Sequence, residues 1–220
     1  MAKPARSLNG ETMAAAPPPR GALGRPDGWG ATAVYGSAHL GKSLFWYGGE
    51  ILFAYFLTDV AGFPPAAMAF IVAAGFLVSA AVDLIVGAGL PRLLASAGRA
   101  GRLQLAGAAA CAVTLLTFLA TPFVPEPARL AFALVTGVAL RVAYAFYDVP
   151  QNALMALATE SDSARSRVAF VRIAASGLAT LLVAAGVGPI LAVRATDQEN
   201  GLILTFGAAA AAFGLASAMA

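Results

Sequence analysis

The sequence predicts an all-α, polytopic membrane protein with six transmembrane helices. Three observations carry this reading. First, 60% of the 220 residues are hydrophobic and only 11% are charged, against about 25% charged in an average soluble domain. With a mean hydropathy of +0.78, the chain lacks the polar surface to cover itself in water, so its solvent is lipid. Second, beyond the first 30 residues the chain divides into long apolar stretches, each close to the about 20 residues that cross the hydrocarbon as a helix. Third, stretches such as AGAAACAVTLLTFLA do not alternate apolar with polar, as the roughly ten-residue strands of a membrane β-barrel do. Together these exclude a soluble enzyme, a nucleic-acid binder and a disordered scaffold. A single cysteine, Cys111, excludes a disulfide framework, and a single histidine, His39, excludes His-pair metal motifs.

Residues 1–33 read as a disordered cytoplasmic tail, with Pro17, Pro18, Pro19 and four basic residues. They lack the apolar stretch of a secretory signal. Residues 34–220 form the membrane domain. The spans run from about Tyr35 to Leu57, Ala66 to Leu90, Leu103 to Val124, Leu130 to Leu157, Val168 to Val193 and Gly201 to Met219. Gly62 to Pro65 break the first pair, Arg92 to Arg102 the second, and Pro122 to Pro127 the third. Glu160 to Arg167 and Arg194 to Asn200 break the last two. Lys and Arg collect on one side. Lys3, Arg6, Arg20, Arg25, Arg92, Arg99, Arg102, Arg165 and Arg167 face Arg129 and Arg194 across the bilayer. This asymmetry predicts cytoplasmic termini, in an inner (plasma) membrane of bacterial type.

Six ionisable residues fall inside spans: Lys42, Arg141 and Arg172, and Glu50, Asp83 and Asp148. Each costs about 2.5–3.5 kcal/mol to insert at mid-membrane, so such groups pair or line a wet cavity. Their spacing is helical. His39, Lys42, Ser43, Trp46 and Glu50 share one face of the first span. Gly75, Ser79, Asp83 and Gly87 form a stripe on the second. Arg141, Tyr144, Asp148, Gln151 and Asn152 recur at three to four residues on the fourth, and Arg172, Ser176 and Thr180 do so on the fifth. The third and sixth spans carry no charge. Spans one, two, four and five therefore surround a polar path. Plainer readings stand beside this one. Lys42 and Arg172 lie near span ends and snorkel in the alternative reading. Asp83 is alternatively a helix–loop junction, His39 an ordinary polar end, and Asp148 a structural partner of the bend at Pro150.

Two segments carry a resemblance. Gly41-Lys42-Ser43 followed by Tyr55-Phe56-Leu57-Thr58-Asp59-Val60-Ala61-Gly62 resembles the first helix of the melibiose-permease-like sugar:cation symporters. These are the glycoside–pentoside–hexuronide branch of the major facilitator superfamily. Tyr147-Asp148-Val149-Pro150-Gln151-Asn152-Ala153-Leu154 resembles their fourth helix. Thr159-Glu160, Arg165, Arg167 and Phe170-Val171-Arg172 resemble the connection that follows, and the match runs from about Tyr35 to Leu191. The resemblance implies the N-terminal six-helix half of a transporter. It implies a sugar site at Lys42, Ser43, Asp148 and Arg172, with Asn152 where an aromatic platform is expected. It places Ser79, Asp83 and Ala145 at the cation site. Arg141 joins the solute-binding candidates because it shares a face with Asp148, while His39, Trp46 and Glu50 extend the polar path.

Departures accompany it. Ser43 and Ser79 stand where acids are usual, and Ala145 offers no oxygen. Leu84 replaces a usual Pro, and Pro91-Arg92 an Asp-Arg. Sodium takes several oxygen ligands, whereas a lone Asp83 can still carry a proton. Glu50 lies outside the family pattern. The expected function is cation-coupled or facilitated transport of a sugar-like or organic-anion solute. Six helices form one wall, so a second half, from the same or a separate chain, is the expected partner. The alternative is a non-transporting accessory subunit of a larger membrane complex, to which Ser43 and Ser79 lend support. No cofactor, metal or nucleic acid is expected, only lipid and membrane partners. With no HExxH motif, no Gly-rich phosphate loop and one histidine near an edge, the sequence points away from an enzyme.

Overall fold

The computed structural model describes residues 28–93, 96–159, 161–192 and 197–219. All of the regular structure among them is helical: α1 (Trp29–Tyr55), α2 (Pro65–Leu93), α3 (Ala97–Leu119), α4 (Glu126–Ala158), α5 (Asp162–Ala192) and α6 (Asp197–Met219). A π-helical turn, Phe56–Val60, extends α1, and a 3-10 turn, Thr121–Phe123, precedes α4. Residues 1–27 of the expected tail and Arg194 lie outside the described residues, whereas Trp29 already belongs to α1.

The helices outrun the apolar stretches that announce them. Hydropathy stops at a charge or glycine, but the backbone goes on bonding i to i−4 through residues such as Arg99, Arg102 and Arg165. The ends are set by local chemistry. The Ser96 hydroxyl accepts the Arg99 backbone N–H at 3.3 Å and caps α3. Gly62 takes φ +72°, a left-handed turn before Pro64 and Pro65. Pro125 and Pro127 flank the start of α4.

By length and composition, five helices among the described residues can cross a membrane: α2, α3, α4, α5 and α6. The expected six-helix architecture is present, and α1 is the one of the six that falls below that hydropathy criterion. α1 has the length, with 27 residues, but its polar face lowers its hydropathy. His39, Lys42 and Ser43 on that face are buried against neighbouring helices. The helix is hidden from lipid on its polar side, so lipid does not set its composition.

Neighbours follow the series α2–α4–α3–α6–α1–α5, which leaves α2 and α5 at its two ends. Small residues permit the closest approaches. A Cβ on Gly107 of α3 would run into the Phe146 and Tyr147 backbone of α4. That Phe146 carbonyl is the one Pro150 leaves without an amide partner four residues on. Gly41 of α1 likewise sits against Gly214 of α6. Phe56, Leu57, Ile71, Phe118 and Leu119 form one apolar cluster, with Phe53 stacked on Phe118 at 4.4 Å. Leu77, Leu84, Ile85, Ile173 and Leu181 point outward, as side chains that meet acyl chains do.

Candidate functional site

The polar stripes meet in a cavity of about 330 Å³ between the two ends of the helix series. α1 contributes His39, Lys42, Ser43, Trp46 and Tyr47; α2 contributes Ser79 and Asp83. α4 adds Tyr144 and Asp148, and α5 adds Arg172 and Ser176. None of the lining comes from α3 or α6. A second cavity of about 360 Å³ shares His39, Arg172 and Ser176 with the first.

Its chemistry centres on one ion pair. Lys42 Nζ lies 2.5 Å from Asp148 Oδ1. The lysine also donates to Asn152 Oδ1 at 3.4 Å. Asn152 stands one turn beyond Asp148 on α4, and its Nδ2 donates to Asp148 Oδ2 at 2.7 Å. Arg172 donates to Asn152 Oδ1 at 2.8 Å and reaches Met155 Sδ at 3.5 Å. The Asn152 amide can take only one orientation here. Its oxygen faces two cations and its nitrogen faces a carboxylate. Among the described residues no carboxylate pairs with Arg172. The site thus holds a neutralised Lys–Asp pair and a guanidinium satisfied only by an amide and a thioether. Such a guanidinium keeps N–H donors available to a solute oxygen.

The other candidates fall in different places. Ser79 and Asp83 line the same cavity; Ala145 is buried and supplies no oxygen. Arg141 does not line it. Its Nη2 meets Glu50 Oε1 at 3.1 Å, and its guanidinium lies over Phe76 at 4.5 Å, Trp46 at 5.3 Å and Phe53 at 5.9 Å. Sharing a helical face did not bring Arg141 to Asp148. Seven residues of rise, about 10 Å, separate them along α4. The Trp46 and Tyr144 rings lie 5.2 Å apart, tilted by 36°, between the two charge pairs.

His39 is no plain helix end. Its Nε2 lies 3.1 Å from Ser176 Oγ and its Nδ1 lies 3.3 Å from Gln151 Oε1, which ties α1 to α5 and α4. The sequence reading placed Gln151 and Ser176 on the polar stripes but did not count them among the site residues. Ser176 lies four residues beyond Arg172, and Gln151 three beyond Asp148, so their helical spacing was the available signal. Tyr47 carried none. Among the described residues no group of three His, Cys, Asp or Glu side chains could hold a metal ion.

Residues 34–220 match the family described as MFS/sugar transport protein. The chain belongs to this family. It is similar to the uncharacterized symporter YjmB of Bacillus subtilis (strain 168), at 26% identity over 180 residues. The alignment covers 80% of this chain and 39% of that relative, so the chain spans about two fifths of the curated relative it matches. Membership of the MFS/sugar transport family and the long apolar helices make this an integral membrane protein.

Proposed function

We propose that this chain forms one six-helix wall of a secondary transporter for a sugar-like or organic-anion solute. One observation carries the reading. Lys42, Asp148, Asn152 and Arg172, from three helices, converge beside an open cavity at mid-span. Asp148 accepts hydrogens from solute hydroxyls, while Lys42 and Arg172 meet hydroxyl oxygens or an anionic group. Asp83 is the acid available for coupling to a cation, with Ser79 one turn away. A second six-helix unit supplies the opposite wall, and the two rock about the midplane site. The membrane is the bacterial inner (plasma) membrane. The bias of Lys and Arg to one side supports placing the termini in the cytoplasm.

Family membership and the symporter description of the similar protein favour transport over an accessory role. The test is uptake of a panel of labelled sugars and sugar acids into cells or vesicles carrying the protein with its partner half. Asp148→Asn inserts normally and loses uptake. If it inserts and transports at the wild-type rate, the cavity is not the path.

A further inference from the structure

A third cavity, of about 440 Å³, opens between α1, α3, α4 and α6 and shares no residue with the two described above. It lies at the membrane end where α3 and α5 begin, the end that carries Arg99, Arg102, Arg165 and Arg167. Val34, Leu105, Leu154 and Met219 give it apolar walls, and no carboxylate among the described residues lines it. The hydroxyls of Tyr35 and Ser217 border it but are spent on the carbonyls of Gln151 and Gly214, at 3.1 and 3.0 Å. Two polar groups of the lining are not spent. Arg102 is exposed and pairs with no carboxylate among the described residues. Gln104 is only 5% exposed, yet its side-chain amide makes no hydrogen bond among the described residues, so it lacks a partner whichever way the amide is turned. Leaving such a group buried and unpaired is costly, and a ligand that both donates and accepts relieves it. Gly98 and Gly101 leave the α3 backbone bare beside these two, since a Cβ on either meets nothing within 4 Å.

We propose that this cavity docks an anionic phospholipid of the phosphatidylglycerol type, drawn from the leaflet at the arginine-rich end. Charge complementarity selects the occupant. A cation without a counter-ion, on a wall without acids and between membrane helices, is the setting in which a lipid phosphate is held. Arg102 takes the phosphate. Gln104 meets the polar part of the lipid, donating to an ester or phosphate oxygen and accepting from a glycerol hydroxyl. Val34, Leu105, Leu154 and Met219 take the start of an acyl chain. A phosphatidylcholine headgroup has neither a net negative charge nor a hydrogen to donate, so it satisfies neither side chain. In the helix series α6 stands between α1 and α3, and the lipid fills the gap that these three leave at this end. The docking site is separate from the solute cavity, and its test does not depend on transport.

The experiment places a diazirine analogue of leucine at Leu105, which keeps the size of the side chain, in the full chain. The protein is held in nanodiscs of phosphatidylglycerol and phosphatidylcholine in equal parts, irradiated, and its adducts are identified by mass spectrometry. The expected adduct is phosphatidylglycerol in clear excess over phosphatidylcholine. Equal capture of the two lipids overturns the proposal. So does capture of residues 1–27 of the chain or of a second copy of it, since either is then the occupant. Arg102→Ala lowers phosphatidylglycerol capture about tenfold, the loss of one charge-assisted hydrogen bond, and Arg102→Lys keeps part of it. Arg99 is exposed one turn away and does not line the cavity, so Arg99→Ala leaves capture close to wild type. Equal losses in Arg99→Ala and Arg102→Ala mean a diffuse surface charge and sink the idea. Melting gives a second readout. Phosphatidylglycerol raises the melting temperature of the wild type above its value in phosphatidylcholine. Gly101→Leu puts a side chain into the open space and abolishes that rise, with melting in phosphatidylcholine unchanged. A rise that survives both Gly101→Leu and Arg102→Ala places the lipid elsewhere and overturns the proposal.

Discussion

Two ion pairs join α1 to α4, and they live in opposite surroundings. Lys42–Asp148 borders a cavity of about 330 Å³ and shares its hydrogens with Asn152. Arg141–Glu50 lies about two turns away and is enclosed by the rings of Trp46, Phe53 and Phe76. Their exposures are alike: 5% and 29% for the first pair, 9% and 34% for the second. In each pair the cation is buried and the acid is the more open partner. What differs is the space around them and the company they keep. The first pair has amide and guanidinium neighbours that can trade a protein contact for a solute contact. The second has aromatic faces that hold a guanidinium in place and exchange it for nothing. Equal chemistry therefore serves as a site in one position and as a strut in the other.

The sharpest way to break this contrast is to remove both charges of each pair in turn. Lys42→Met with Asp148→Leu is expected to insert and to lose uptake by about a hundredfold, the worth of two charge-assisted hydrogen bonds. Glu50→Leu with Arg141→Leu is expected to keep uptake within about threefold, because its groups do not line the cavity. Equal losses in the two double variants would erase the distinction. The next effect is on stability. Arg141→Leu alone leaves Glu50 without its cation and destabilises the protein by about 1–3 kcal/mol, less than for a fully buried pair because Glu50 is a third exposed. Adding Glu50→Leu should restore part of that in thermal melting. A double variant no more stable than the single one would mean the pair is not a coupled unit. The smallest effect is expected at Phe76, whose ring is nearest the guanidinium. Phe76→Leu should lower stability by about 1 kcal/mol and leave uptake unchanged; a change in uptake would tie the strut to the site.

Much of this was legible in the residues. The stripe from His39 to Glu50 named the inward face of α1, and the charges of spans one, two, four and five named the helices that line the cavity. Periodicity gives the azimuth of a side chain but not its partner at a given depth. That is why Arg141 and Asp148 looked like members of one site. α1 and α4 run antiparallel, so moving from Lys42 up to Glu50 corresponds to moving from Asp148 down to Arg141. The two pairs are the two registers of one interface, a fact that needs both helices to be seen. The contacts of His39 with Ser176 and Gln151 were hidden for the same reason, since they join three helices far apart in sequence. The helix limits were misjudged where hydropathy and hydrogen bonding part, as at Trp29 and Ala97.

Tyr147 has a mechanical consequence. Its ring is fully buried, and its hydroxyl lies 3.1 Å from the Ala38 carbonyl of α1 and 3.2 Å from the Gly214 carbonyl of α6. One hydrogen is shared between two backbones, each within a helix that already bonds to itself. With Gly41 and Gly214 in close contact beside it, three helices are bolted at a single point. A lever must be stiff to transmit displacement without absorbing it. In the rocking scheme proposed above, such a bolt would let α1, α4 and α6 move as one lever arm rather than slide past one another.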